Sequence, residues 1–159
     1  MTTRTGWGFD AHRFEDRPPL ILGGVLVSET VGVAATSDGD VVAHAVADAV
    51  LGAAVLGDMG EHFPSDDPAY EDADSMALLR RMVVMAVEMG WQPIHVDVTV
   101  IVETIRIGPH RAGIRAGIAS VLGLSSDAVS VKATTTDGMG FVGRGEGVAA
   151  VAVVTVEAS

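Results

Sequence analysis

An aspartate and a histidine stand two positions apart in the segment GWGFDAHRF, residues 6–14, at Asp10 and His12. In an extended strand, residues two apart project from the same face, so both side chains could bind one metal ion. A third possible ligand is His44, whose neighbours along a predicted helix are small and apolar. The chain has no cysteine, so any metal must be held by imidazole nitrogen and carboxylate oxygen. The alternative to metal binding is that Asp10 and His12 are solvent-facing polar residues on a half-exposed strand.

His44 has two further interpretations. As a core histidine it would hydrogen-bond to Asp40 or Asp48, each one helical turn away. Alternatively, Asp48 would orient an imidazole of His44 that binds metal. The remaining three histidines lie in less suitable contexts, and we expect them to be structural or exposed: His62, His95 and His110.

A second group of polar residues lies in KATTTDGMGFVGRGEG, residues 132–147, which holds three consecutive threonines and five glycines. Glycines let the backbone approach a ligand closely, and hydroxyl and N–H groups donate to phosphate oxygens. Gly138, Gly140 and Gly143 also match G-x-G-x-x-G, but that fingerprint requires a helix directly after the turn. A strand pattern follows instead. We therefore expect a phosphate site, with a structural glycine hairpin as the alternative, rather than nicotinamide or flavin binding.

A third group brackets a predicted helix in SDGDVVAHAVADAVLGAAVLGDMG, residues 37–60. Ser37 lies at the helix start, where oxygen anions are favoured, and Asp58 and Gly60 lie at its exit. Polar residues at both ends are also typical of any helix. The segment by itself is therefore compatible with a ligand site or with simple capping.

Charge and hydropathy exclude several classes of protein. The formal net charge is −11, with nine arginines and one lysine, Lys132, so we expect no nucleic-acid surface. The longest uncharged apolar stretch, residues 147–156, is about half the roughly 20 residues that a membrane-spanning helix needs. The first residues, MTTRT, have no apolar signal core, so we expect a cytoplasmic protein without a membrane segment.

The elements that must position these groups follow from hydrophobic periodicity. Residues 4–14 predict a strand, and the segment LILGGVLV predicts another strand. Residues 40–56 predict a helix, and residues 57–73 are expected to form a mobile loop. A second helix is predicted from 74 or 75 to 89, a strand over 94–102, a short helix after Pro109, and two final strands. We therefore predict one domain over residues 1–159, an α/β (α+β) two-layer sandwich whose mixed sheet has helices on one face. The apolar surplus with few aromatic residues predicts an oligomer.

Taken together, the three motifs resemble the 2-C-methyl-D-erythritol 2,4-cyclodiphosphate synthase family of the non-mevalonate route to isoprenoids. The segments GFDAHRF, SDGDVVAHAVADAVLGAAVLGDMGEHFPSDDP and VKATTTDGMGFVGRGEG occur in the family's order and spacing over almost the whole chain. The resemblance implies sheets packed around a threefold axis in a homotrimer, with active sites between adjacent subunits. It also implies a lyase that converts 4-diphosphocytidyl-2-C-methyl-D-erythritol 2-phosphate into the cyclic diphosphate and CMP.

The resemblance also implies the metal ligands. Asp10, His12 and His44 match the three protein ligands of one Zn²⁺ ion per subunit. Asp137 takes the place of the acidic ligand of a second ion, Mg²⁺ or Mn²⁺. The positions expected to act on the reacting phosphates are Thr135, Asp137 and Ser37.

By the same resemblance, a larger set of residues contacts the substrate. Ser37 and the threonines match phosphate contacts, residues 58 and 60 match erythritol contacts, and the segments around 102–108 and 133 match a cytosine pocket. Residues 141, 144 and Glu146 match the lining of a cavity on the threefold axis that can hold an isoprenoid diphosphate. The full set expected to bind substrate or this ligand is Thr36, Ser37, Asp58, Gly60, Phe63, Asp67, Val102, Arg106, Ile107, Gly108, Lys132, Ala133, Thr134, Thr135, Phe141 and Arg144.

The chain departs from the family pattern at four places. Thr36 stands where histidine is common, and Ser65 where the family often has an aspartate that contacts erythritol, so Asp66 or Asp67 would take its place. Ile105-Arg106 replaces a common Pro-Lys pair, and residue 137 is an aspartate where glutamate is usual. None of these changes touches the expected zinc ligands.

Two other functions are compatible with the residues alone. A mononuclear zinc phosphohydrolase would use Asp58 or Glu61 as the base for a metal-bound water. A non-catalytic trimer would use the axial cavity to bind isoprenoid diphosphates without turnover.

Overall fold

The chain forms seven strands and five helices in a computed structural model that describes residues 1–159. Most predicted elements are present, with bounds within a few residues of those expected. Residues 57–73 are not wholly irregular, because they contain a one-turn helix and a 3-10 turn. In chain order the elements are β1 (Thr3–Glu15), β2 (Leu20–Leu22), β3 (Val25–Ser28), β4 (Gly32–Val33), α1 (Val41–Ala54), α2 (Met59–His62), α3 (Ser75–Glu88), β5 (Trp91–Ile101), α4 (Arg111–Leu122), β6 (Val129–Thr134), α5 (Gly140–Gly143) and β7 (Gly147–Ala158).

Five strands form one mixed sheet in the order β4-β1-β7-β5-β6. β7 lies between β1 and β5 and pairs antiparallel with both, whereas β6 pairs with β5 in parallel. A parallel pair needs a crossover connection, and α4 lies within the one between β5 and β6. β2 and β3 form a separate hairpin, so the segment LILGGVLV is two short strands joined by a turn at residues 23–24 rather than the single strand predicted. The predicted mixed sheet is confirmed.

Helices α1, α3 and α4 pack on one face of this sheet and form the second layer. Alternate strand residues face them: Val96, Val98 and Val100 of β5 are fully buried. The opposite face has no helix, and on it Trp7 and Phe9 of β1 are 63% and 45% exposed. The predicted two-layer sandwich with one covered face is therefore confirmed. None of the helices has the length and apolar character needed to cross a bilayer.

Gly6 and Gly8 set how closely α1 approaches β1. Both face the helix layer, and a Cβ added at Gly8 would lie 2.0 Å from the carbonyl oxygen of Ala45. At Gly6 the corresponding distance, to the carbonyl oxygen of Ala49, would be 1.9 Å. Only glycine permits this approach, since any side chain would collide with helix backbone. The glycines of the first motif thus bring α1 against the strand that carries Asp10 and His12.

Asp40 fixes the start of α1. Its carboxylate is fully buried and accepts hydrogen bonds from the backbone N–H groups of Gly23 and Gly24, both at 2.8 Å. It also accepts from Val42 and Ala43, at 3.1 and 3.0 Å, as the N-cap of the helix. Burial raises the pKa of Asp40 to about 6. One carboxylate therefore joins α1 to the turn between β2 and β3.

Asp40→Ala should lower the free energy of unfolding by about 4 kcal/mol, because each buried donor left without a partner costs about 1–3 kcal/mol. Urea unfolding at pH 7.5 measures the difference. The matched control is Asp74→Ala, an exposed N-cap of α3 that accepts from Met76 and Ala77. Loss of an exposed cap costs about 1 kcal/mol. Equal effects of the two substitutions would contradict this role for Asp40.

Candidate metal centre and phosphate site

Three side chains from two elements meet above the sheet. Asp10 and His12 project from the same face of β1, and His44 projects from α1. The His44 Nδ1 atom lies 2.8 Å from Asp10 Oδ2, and His12 Nε2 lies 3.1 Å from the same oxygen. The two imidazole nitrogens are 3.5 Å apart. The residues predicted as metal ligands therefore form a candidate metal centre, the one such cluster in the chain.

The electrostatics of this cluster favour an added positive charge. Burial works to raise the pKa of Asp10, but hydrogen bonds and the charges of His12 and His44 outweigh it and lower the pKa to about 2. Burial works to lower the pKa of His44, yet the contact with Asp10 and the negative charges of Asp40 and Asp38 raise it. The carboxylate thus stays ionised beside two imidazoles. Such a site attracts protons at low pH and a divalent cation at neutral pH.

The outer side of His44 contacts hydroxyl groups. Its Nε2 atom lies 2.8 Å from Ser75 Oγ and 3.2 Å from Ser37 Oγ. The hypotheses that the side chain of Asp40 or Asp48 bonds to this imidazole are wrong. Asp40 is occupied by the backbone donors described above, and Asp48 accepts from the N–H of Met59 at 2.9 Å. Ser75 had no sequence signature beyond its place at a helix start.

The cluster opens into a cavity of about 250 Å³. Four of the residues expected to contact substrate line it: Thr36, Ser37, Gly60 and Phe63. The position of one family departure, Ser65, lies there too. The lining therefore combines the candidate metal ligands with hydroxyl groups and with apolar side chains such as Met59 and Leu78.

Two acidic residues expected to contact substrate do not line this cavity. The Asp58 carboxylate caps α2 by accepting from the N–H of Glu61 at 3.1 Å. Asp67 caps a 3-10 turn by accepting from the N–H of Ala69 at 2.9 Å, and it lines a neighbouring groove with Thr36. Both carboxylates therefore shape the loop of residues 57–73.

A second cavity, of about 370 Å³, lies beside the C-terminal ends of β5 and β6. Its lining includes five of the expected substrate contacts: Val102, Arg106, Ala133, Thr134 and Thr135. Ile107 is buried beside it, and Gly108 lines an adjoining groove. Lys132 projects elsewhere and pairs with Asp97.

The glycine-rich segment after β6 carries Asp137, whose φ of 52° lies in the left-handed region. Thr135 Oγ1 accepts from the Asp137 N–H at 3.2 Å. Glu103, which sequence reasoning missed, accepts from the N–H groups of Thr136 at 3.2 Å and Gly138 at 3.1 Å. Its carboxylate thus bridges the two residues that flank Asp137. No local pattern around Glu103 indicated this contact.

The two cavities are separated within one chain. Asp10 of β1 pairs with Ala150 of β7, which pairs with Val100 of β5, and Val100 pairs with Ala133 of β6. Three strand spacings of about 4.8 Å place these ends of β1 and β6 about 14 Å apart. The predicted site residues therefore form two groups.

The remaining expected contacts lie near the first strand. Phe141, which is 41% exposed, and Glu146 line a cavity of about 290 Å³ with His12. The guanidinium of Arg144 forms a two-point pair with Glu146, at 3.0 and 3.2 Å.

The fold and the site define a two-layer α/β protein with a His₂Asp candidate metal centre beside a cavity whose lining includes hydroxyl groups. Residues 3–157 match the YgbB family, and the chain belongs to that family. This match, together with the relatives described next, confirms the resemblance inferred from the three motifs.

Several known proteins align with this chain over nearly its whole length. The 2-C-methyl-D-erythritol 2,4-cyclodiphosphate synthase of Salinibacter ruber is 54% identical, with 98% of this chain and 99% of that protein covered. The protein of the same name from Pseudomonas aeruginosa is 48% identical, again over 98% and 99%. Among solved structures, the bifunctional IspDF of Campylobacter jejuni matches with a TM-score of 0.96 and 40% identity. That match covers 99% of this chain, which spans 43% of the longer protein. A CDP complex of IspF from Plasmodium falciparum matches with a TM-score of 0.85 and 28% identity, over 99% and 97% of the two chains.

Proposed function

We propose that this protein converts 4-diphosphocytidyl-2-C-methyl-D-erythritol 2-phosphate into 2-C-methyl-D-erythritol 2,4-cyclodiphosphate and CMP. The 2-phosphate of the substrate attacks the β-phosphorus, a ring forms, and CMP leaves. The observation that carries the proposal is the cluster of Asp10, His12 and His44 at the wall of the first cavity. Family membership and the names of relatives that align over their full length support it.

The three donor atoms fit zinc. In a tetrahedral site with metal–ligand bonds of about 2.0–2.2 Å, neighbouring ligand atoms lie about 3.3 Å apart. The three separations here are 2.8, 3.1 and 3.5 Å. Asp10, His12 and His44 would hold the ion and leave the fourth position free. When bound, zinc supplies Lewis-acid stabilisation of the charge that develops on the phosphate oxygens.

The chain itself needs to supply little acid–base chemistry. A phosphate monoester has a second pKa of about 6, so the attacking 2-phosphate is already largely dianionic near neutral pH. The residues therefore act by holding the two phosphates in line. Ser37 and Thr36 both line the cavity, but the Thr36 hydroxyl donates to the carbonyl oxygen of Ser65 at 3.0 Å, which leaves Ser37 as the hydroxyl donor to substrate. Gly60 leaves room for close approach. The phosphohydrolase and binding-only alternatives are not favoured.

A second ion, Mg²⁺ or Mn²⁺, would be held by Asp137. A carboxylate oxygen is the hard ligand that these ions prefer, and they retain waters and phosphate oxygens as further ligands. Thr135 and Glu103 hold the backbone of this loop. Thr134 and Thr135 would contact phosphate at the entrance of the cytosine pocket.

Asp137→Asn should weaken magnesium binding at least about tenfold and leave zinc bound, because Asp137 lies in the loop after β6 and is not one of the three residues of the zinc cluster. The amide keeps the shape of the side chain but removes the negative charge. Magnesium dependence of turnover gives the first quantity, and metal analysis of the purified protein gives the second. An equal loss of zinc would show that Asp137 supports the zinc cluster and would contradict a separate magnesium site at this residue.

The separation of the two cavities supports active sites between subunits. Asp10 of β1 and Ala133 of β6 lie about 14 Å apart in one chain, so the metal centre of one copy and the cytosine pocket of a neighbouring copy would together form one site. The uncovered sheet face, with exposed Trp7 and Phe9, supports packing of this face around a threefold axis. Phe141, Arg144 and Glu146 would line a cavity on that axis suited to an isoprenoid diphosphate. Light scattering at micromolar concentration should give a trimer, and a monomer would contradict shared sites.

The reaction is tested by ³¹P NMR with purified protein, the cytidyl substrate and magnesium, before and after zinc is stripped. We expect cyclic diphosphate and CMP in equal amounts, loss of both on stripping, and recovery when zinc returns. In ¹⁸O-labelled water, cyclisation puts no label into the product, whereas hydrolysis does. An intact, metal-loaded protein that forms no CMP would refute the proposal.

A further inference from the structure

His44 has two ring nitrogens with different surroundings. Nδ1 faces Asp10 and His12, and Nε2 faces two serine hydroxyls. A neutral imidazole carries its proton on one nitrogen only, and the other nitrogen offers the lone pair that a metal requires. The partner of Nε2 therefore decides whether Nδ1 is available for coordination.

The nearer partner is Ser75, the first residue of α3, which is 1% exposed. Its Oγ lies 2.8 Å from His44 Nε2, against 3.2 Å for Ser37 Oγ. The Ser75 hydroxyl also contacts the Asp38 carboxylate, and the Ser75 N–H donates to Asp38 Oδ2 at 3.1 Å. Asp38 further accepts from the N–H of Asp40 at 3.2 Å. The Asp38 carboxylate is thus held by residues at the starts of both α1 and α3.

These contacts determine the direction of the hydrogen bonds. An ionised carboxylate only accepts, so the Ser75 hydroxyl donates to Asp38. The Ser75 oxygen then accepts, and the N–H that reaches it belongs to Nε2 of His44. Without an ion, Nδ1 lies 2.8 Å from the Asp10 carboxylate, which also only accepts, so a bound metal would take the place of a proton at Nδ1. The proton on Nε2, directed at Ser75, is the one that remains when Nδ1 binds the metal.

We propose that Ser75 and Asp38 are positioning residues that fix the tautomer and orientation of His44 for metal binding and leave Ser37 free for substrate. Ser37 lines the cavity, whereas Ser75 does not. Because the Ser75 oxygen accepts the hydrogen bond from Nε2–H, the Ser37 oxygen need not, and the Ser37 hydroxyl can donate its proton in a hydrogen bond to a phosphate oxygen. The inference rests on the proposed zinc centre.

The test is the zinc affinity of full-length Ser75→Ala, measured without substrate by competition with a chromophoric chelator. Loss of a partner that orients a metal-bound histidine typically weakens metal affinity about 10–100-fold, and we expect a loss in that range. In ¹⁵N–¹H NMR spectra of the zinc-loaded protein, the His44 Nε2 proton should be protected from exchange in the wild type and lose that protection in Ser75→Ala. At saturating zinc, KM should change little.

Asp38→Ala provides a second variant should Ser75→Ala fail to fold, and its zinc affinity should fall in the same direction. Asp74→Ala is the matched control, because it destabilises the same helix end without contacting His44. Zinc affinity within twofold of wild type in Ser75→Ala, or an equal loss in Asp74→Ala, would overturn the inference. A wild-type protein that binds zinc with the expected tautomer but forms no cyclic product would refute the proposed function alone.

Discussion

His44→Ala should reduce kcat/KM for cyclisation by about 10³-fold or more and remove zinc from the purified protein. A metal Lewis acid supplies several kcal/mol of transition-state stabilisation, and each 1.36 kcal/mol corresponds to a factor of ten. Two ligands, Asp10 and His12, would remain on β1, too few to hold a tetrahedral ion tightly. Turnover by ³¹P NMR and zinc content by metal analysis give the two quantities.

His95→Ala is the matched control for this variant. His95 lies on β5 opposite Thr155, which pairs with Thr5 of β1, five residues along the strand from Asp10. We expect normal zinc content and normal turnover. Circular dichroism must show that His44→Ala retains its fold. A folded His44→Ala protein with full zinc and near-normal turnover would refute the role of the cluster.

Gly8→Ala should lower the free energy of unfolding by about 3 kcal/mol, at the upper end of what overpacking usually costs. The added methyl group would lie 2.0 Å from the carbonyl oxygen of Ala45 and 2.8 Å from the N atom of Ala49. Both atoms belong to helix backbone, so α1 as a whole must move away from β1. His44 precedes Ala45 and would move with it, and zinc affinity should fall as well. Urea unfolding and chelator competition measure the two effects.

Gly52→Ala separates this collision from the general effect of adding a methyl group to the same interface. Gly52 lies on α1, and the nearest atom to an added Cβ is the Cα of Gly6 at 3.9 Å, an ordinary contact. Alanine is a better helix former than glycine by about 1 kcal/mol, so stability should be unchanged or higher. Zinc affinity should be unchanged. If Gly8→Ala behaved like Gly52→Ala, the close packing of α1 on β1 would not be needed for the site.

Local spacing made the candidate metal ligands predictable. Asp10 and His12 are two apart in an alternating segment, and a strand places such residues on one face whatever packs around it. The apolar neighbours of His44 likewise fixed it on a helix that had to be buried. The sheet layer was predictable for the same reason, since alternation in residues 94–102 has a period of two. The family followed from three ordered motifs.

Contacts between distant segments were not predictable. Ser75 is 31 residues from His44, and nothing in its own segment distinguished it from a simple helix cap. Asp40 and Asp48 are one turn from His44 and were the natural candidates, yet both carboxylates are used by backbone N–H groups. Helical proximity specifies which residues share a face, but the partner that a side chain reaches depends on the neighbouring element.

The sequence by itself therefore determined the kind of chemistry, the elements that carry it and the family. The tertiary structure decided that Gly6 and Gly8 bring α1 onto β1, and that Ser75 rather than a nearby aspartate holds His44. It also placed Ala133 of β6 three strands, about 14 Å, across the sheet from Asp10 of β1. Residue types and short spacings are fixed by covalent geometry, whereas these arrangements arise from packing between elements that are remote in sequence.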